Sequence, residues 1–117
     1  MKALYNWMLR LQDVLSGKLP KGAKRSPEWG KVREKHLKQH PRCALCGSSQ
    51  NLTVHHKKPF WLFPELELDT DNLITLCDGW RILNCHLVVG HLLSFKSFNP
   101  NVTKDVLMLR SKIKHRP

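Results

Sequence analysis

Apolar positions recur at helical spacing in three stretches of this chain, with two short apolar runs between them. Leu4, Trp7, Met8, Leu11, Val14 and Leu15 fall on one face of a helix predicted over residues 3–15 and ended by Gly17. Trp29, Val32, His36 and Leu37 make a second stripe, with Lys31, Lys35 and Lys38 lying away from it. Ser26 and Pro27 supply an N-cap and a first helical position, and Pro41 stops this helix near His40. Residues 52–56 (Leu-Thr-Val-His-His) read as a strand ended by Lys57, Lys58 and Pro59. Residues 73–76 (Leu-Ile-Thr-Leu) read as a second strand leading into Cys77, and the two suggest a hairpin. Between them, residues 60–69 mix aromatics with acids around Pro64 and read as a loop packed by its aromatics. Residues 85–93 predict a helix carrying His86 and His91, interrupted by Gly90 at a cost of about 1 kcal/mol relative to Ala. Thr103 is placed to cap a last helix with Val106, Leu109 and Ile113 on one face, before a basic tail.

This order predicts an α+β fold in three parts: an N-terminal helix and basic linker (1–25), a core (26–99), and a C-terminal helix with its tail (100–117). A chain of 117 residues supports one modest core and gains from a metal that closes loops.

Charge narrows the partners. Lys and Arg number 20 against 9 acids, a formal net charge of +11, which points to a polyanion and most directly to nucleic acid. The excess is local: residues 18–42 hold nine basic residues and two acids, whereas five of the nine acids lie between Glu65 and Asp78. Lys21, Lys24 and Arg25 in the linker, and Lys57, Lys58 and Arg81 near the hairpin, are the expected phosphate contacts. Neither a secretion signal nor a run of transmembrane length is read, so a cytoplasmic setting (bacterial, phage or host cell interior) with reduced cysteines is expected.

In that setting the four cysteines read as metal ligands. Cys43-x2-Cys46 followed by Gly47 is half of a zinc knuckle, and Cys77 and Cys85 supply the second half at an unusually wide spacing. Four thiolates leave zinc no open position, so this site is structural. The histidines suit phosphodiester hydrolysis, which needs a base for the attacking water and a positive charge for the phosphate. Neighbouring residues on a strand face opposite ways, so His55 and His56 divide into one that faces a metal and one that faces water. Asn72 is placed across the hairpin to orient the base, and His86 and His91 bring further nitrogen ligands.

Together these residues resemble the HNH endonuclease family, the ββα-metal or His-Me finger nucleases. The motifs are the Cys43–Cys46 knuckle, His55-His56, Asn72 before Leu73-Ile74-Thr75-Leu76-Cys77, and Cys85-His86 with His91; they span about residues 26–93. The resemblance implies a ββα-metal core with a zinc knuckle and flanking helices. It implies His55 as ligand of the catalytic ion, His56 as general base, Asn72 holding that base, and a trailing histidine completing the ion site. Two features depart from the family pattern: Cys77 and Cys85 are separated by seven residues where the family has two, and His86 and His91 are five apart where it has four. On a regular α-helix a step of five turns about 140° off one face, so both bind one ion only if Gly90 permits a bulge.

The expected function is a metal-dependent HNH endonuclease, a hydrolase that cuts DNA by nicking or double-strand cleavage. Its cofactors would be a structural Zn2+ and a catalytic divalent cation (Mg2+, Mn2+, Ni2+ or Zn2+). The alternative is a non-catalytic zinc-stapled DNA-binding module, which needs the basic segment and the cysteines but neither His56 nor Asn72. The expected partner is DNA and no membrane; a homodimer through residues 4–15 or a larger phage or host complex stays open.

Overall fold

The computed structural model describes residues 24–79 and 84–116. The helix predicted over residues 3–15, and the contacts predicted at Lys21 and Arg81, lie outside them. The described elements run α1 (Trp29–Gln39), β1 (Leu52–His56), β2 (Leu73–Cys77), a π-helical turn (His86–Gly90) and α2 (Val102–Lys114). This is the mixed α+β arrangement expected, and it is compatible with a ββα-metal core.

The two strands pair antiparallel with Leu52 opposite Cys77, His55 opposite Ile74 and His56 opposite Leu73. The ladder continues past β1, because Lys57 N donates to Asn72 O at 2.8 Å. Two short 3-10 turns, Pro64–Leu66 and Thr70–Asn72, shape the segment between the strands.

Ser26 acts two residues before the helix cap, Glu28. Its hydroxyl accepts from Glu28 N at 3.1 Å and its carbonyl from Trp29 N at 3.1 Å, forming a turn from which α1 departs. Thr103 does not cap α2, which already begins at Val102. Instead, buried Asn99 organises that start: its Oδ1 accepts from Asn101 N at 2.9 Å, and its Nδ2 donates to Val89 O and to Asp105 Oδ2. Ile113, expected on the inner face of this helix, is exposed; burial along α2 centres on Val102 and Val106.

The main core joins Cys43, Leu45, Ile74, Leu76, Cys77, Cys85, Val89, Val102 and Val106. The C-terminal helix contributes Val102 and Val106 to the same core as the cysteines. Arg110 adds a polar tie, donating to Ala44 O at 3.0 Å. Among the described residues no helix is long and apolar enough to cross a membrane.

Candidate metal centres and the histidine cleft

The knuckle is built by backbone. Gly47 takes a left-handed φ of +80°, which L side chains rarely adopt, and its N–H donates to Cys43 O at 3.0 Å. Cys43 N donates to Ser48 O, and Ala44 N to Thr75 O, fastening the knuckle to β2. Cys77 ends β2 and Cys85 stands just before the π-helical turn, and the four sulfurs lie within 4.8 Å of one another. Cys46 Sγ and Cys77 Sγ are 3.7 Å apart. A hydrogen bond from the Cys85 thiol lowers the Cys43 pKa to about 4, while the same contact pushes Cys85 up. Four crowded, largely buried thiols of which one is readily ionised form a donor set that fits zinc.

A second cluster lies beside the sheet. His55, His86 and His91 place ligand nitrogens within 4.8 Å of one another. Their ring centroids are 5.0, 4.8 and 4.7 Å apart, with planes at 69°, 81° and 75°. An α-helix over residues 85–93 would have separated His86 from His91. The chain instead forms a π-type turn in which His91 N donates to His86 O, so a step of five returns to the same face. Gly90 permits this arrangement by leaving space: a Cβ there would sit 3.1 Å from His55 Cε1.

The protonation pattern favours a cation. His91 Nδ1 lies 2.8 Å from Ser97 O, and a carbonyl only accepts, so the proton sits on Nδ1 and Nε2 carries the lone pair. That Nε2 is 3.1 Å from His86 Nε2. His55 Nε2 is buried without a hydrogen-bond partner among the described residues. Burial, and then the neighbouring His86, His91 and His56, push the His55 pKa down to about 3. His86 is also lowered, chiefly by burial and then by His91; Asp78, whose Oδ1 lies 3.7 Å from Nδ1, opposes this. Three imidazoles crowded at this distance, with buried nitrogens of His55 and His86 that have no hydrogen-bond partner among the described residues, fit a divalent ion.

His56 faces elsewhere, as strand alternation predicts. Its ring packs against Trp29 with centroids 4.5 Å apart and planes tilted by 35°, and its Nε2–H donates to Glu67 O at 2.9 Å. The tautomer is therefore set, and Nδ1 is the basic nitrogen. Burial lowers the pKa of His56, against the raising effect of the Glu67 carbonyl. Glu67 is itself buried; its carboxylate accepts from Ser26 N at 2.9 Å and pairs with Arg25 at 3.4 Å.

Asn72 was expected to hold His56, and here the geometry differs. Its Oδ1 accepts from Lys58 N at 2.8 Å, and its Nδ2 donates to Lys58 O and Leu66 O at 3.1 and 3.2 Å. It clasps the two ends of the inter-strand segment, and the ring of His56 is oriented by the Glu67 carbonyl. The physical reason is register: Asn72 precedes β2 opposite the chain leaving β1, so its amide meets main chain before it reaches the ring.

A cleft of about 420 Å³ opens over these histidines, lined by His55, His56, His86 and His91 together with Arg25 and Arg33. Of the predicted phosphate contacts that are described, Arg25 reaches this cleft. Lys24 and Lys58 do not line it. Lys57 faces a separate groove beside His36, where its charge helps to lower that histidine's pKa after burial and His40. Sequence reasoning missed Glu67, Trp29, Arg33 and Ser97. Glu67 lies among the acids of a loop, and nothing in the sequence distinguishes the one acid that is buried.

The model of the HNH endonuclease family matches residues 43–90. This stretch contains both metal-ligand clusters apart from His91, and the match points to a nuclease or nucleic-acid-binding function. No curated protein and no solved structure matches the chain.

Proposed function

We propose that the chain is a metal-dependent endonuclease that hydrolyses phosphodiester bonds of DNA, acting in the cell interior. One observation carries the reading: three imidazoles converge beside a fourth, His56, whose tautomer leaves Nδ1 as a base at the same cleft. His55, His86 and His91 would hold the catalytic ion, and Cys43, Cys46, Cys77 and Cys85 a structural zinc. A divalent ion held by the histidines supplies Lewis-acid stabilisation of charge on the phosphate and the leaving oxygen. An all-imidazole set favours zinc, nickel or manganese over magnesium.

His56 Nδ1 accepts the proton of the attacking water, while the Glu67 carbonyl steadies the ring through Nε2–H. Trp29 covers one face of that ring, keeping it in place. Arg25 and Arg33 bring positive charge to the cleft for the phosphate. Asn72 acts through the main chain, as a positioning residue for the segment that carries Glu67. The catalytic unit is residues 26–99, buttressed by α2.

The test is supercoiled plasmid incubated with wild type and His56→Ala across a panel of divalent ions and with chelator. Metal-dependent nicking or linearisation by the wild type, lost in the variant, is expected. DNA binding without cleavage by either protein would instead favour the zinc-stapled binding module.

A further inference from the structure

Two aromatic side chains at the cleft are left unexplained by phosphodiester chemistry. Trp61 and Phe95 both line it, and they remain 48% and 59% exposed there. Each is carried by an anchored segment. Trp61 is followed by buried Leu62 and Phe63, whose N–H groups both donate to Pro59 O. Phe95 sits in a loop where Ser97 Oγ donates to His91 O at 2.6 Å and to Ser94 O at 3.0 Å. Its ring packs 4.9 Å from His91 and 5.5 Å from His86. The backbone before it is strained, with Leu92 and Leu93 at φ of 50° and 72°. The two segments also meet: Phe98 packs against the Leu62–Phe63 cluster. Two exposed rings are thus held on a braced frame beside the histidines.

We propose that Trp61 and Phe95 form a stacking platform for an unpaired nucleobase next to the scissile phosphate, so that single-stranded or locally unpaired nucleic acid is the preferred substrate. The inference rests on the nuclease reading for the identity of the cleft. Arginines alone attract any polyanion, paired or not. An aromatic face adds affinity only where a base is free to leave its own stack, and such stacking is tolerant of sequence. In a duplex the base faces are already covered by their neighbours, so the rings gain nothing from them.

The test is fluorescence anisotropy with no added divalent ion, using a labelled 12-nucleotide strand and the same strand in a duplex. Trp61→Ala and Phe95→Ala are each expected to weaken single-strand binding about tenfold and to leave duplex binding within about twofold. Trp61→Phe, which keeps a ring face, should retain wild-type binding, whereas Trp61→Leu, which keeps apolar bulk without a ring, should behave as the alanine variant. Circular dichroism of each variant confirms folding, and the Phe–Leu comparison stands if an alanine variant fails to fold. Equal losses on both substrates, no loss on either, or full binding by Trp61→Leu would overturn the proposal. Because no cleavage is read, failure here is distinct from failure of the plasmid assay.

Discussion

Gly90→Ala tests whether close packing of the π-helical turn on His55 sets the histidine site. The added Cβ would stand 3.1 Å from His55 Cε1 and 3.3 Å from both ring nitrogens. Carbon atoms pack comfortably at about 3.5–4.0 Å, so the ring or the turn must retreat by about 0.5 Å. Overpacking of that kind costs about 1–3 kcal/mol, against about 1 kcal/mol recovered from Ala replacing Gly in helical backbone. The net effect on folding is therefore small, within about 2 kcal/mol. The effect on the site is larger, because ligand sets lose function when displaced by about 0.5 Å. The expected result is a fall of about tenfold or more in divalent-ion affinity at the histidines, read by calorimetric titration, with plasmid cleavage falling in parallel. The variant should still carry the zinc of the four cysteines by metal analysis. Wild-type ion affinity in a folded Gly90→Ala protein would refute the reasoning, since it would mean that His55 has slack the structure does not provide.

Removing the metal of the cysteine cluster should unfold the core: structural zinc in zinc-finger peptides contributes about 10–16 kcal/mol, comparable to or above the whole stability of a domain, about 5–15 kcal/mol. Cys77→Ser is accordingly expected to lose its cooperative thermal transition while His55→Ala keeps it; a Cys77→Ser protein melting like wild type would contradict this. For pH, burial lowers the His56 pKa from 6.5, so the base stays unprotonated further into acid than an exposed histidine. Cleavage should rise with pH along an acid limb centred below 6.5 and flatten above it; a limb centred at or above 6.5 in kcat/KM would count against His56 as the base.

Much of this site was legible because strand alternation and ligand chemistry are local. The step from His55 to His56 assigns them to two faces without knowledge of anything else in the chain, and the structure has one among imidazoles and the other on Trp29. The four cysteines were equally readable as donors, and their sulfurs do lie together. What stayed hidden depends on contacts distant in sequence. Glu67 meets Ser26 and Arg25 across more than forty positions. Asn99 anchors α2 through Val89, in a segment that reads only as a connection.

Two details share a cause. Joining His86 and His91 at one ion was made conditional on a bulge at Gly90 because regular α-helical geometry sets them apart, and expecting Asn72 to reach His56 assumed that a side chain across a hairpin meets its opposite side chain. In each case unpaired main-chain groups decided the outcome. The Gly90 segment widened to a π-turn whose His86 carbonyl accepts from His91 N, and the amide of Asn72 went to the backbone of Lys58 and Leu66. Buried main-chain polar groups are costly to leave unsatisfied, so they take the nearest polar partner before side-chain roles are assigned. A main-chain carbonyl, that of Glu67, consequently orients His56, and a main-chain carbonyl, that of Ser97, sets the tautomer of His91. The sequence names the imidazoles, but carbonyls contributed by residues of almost any type determine which nitrogen each imidazole presents.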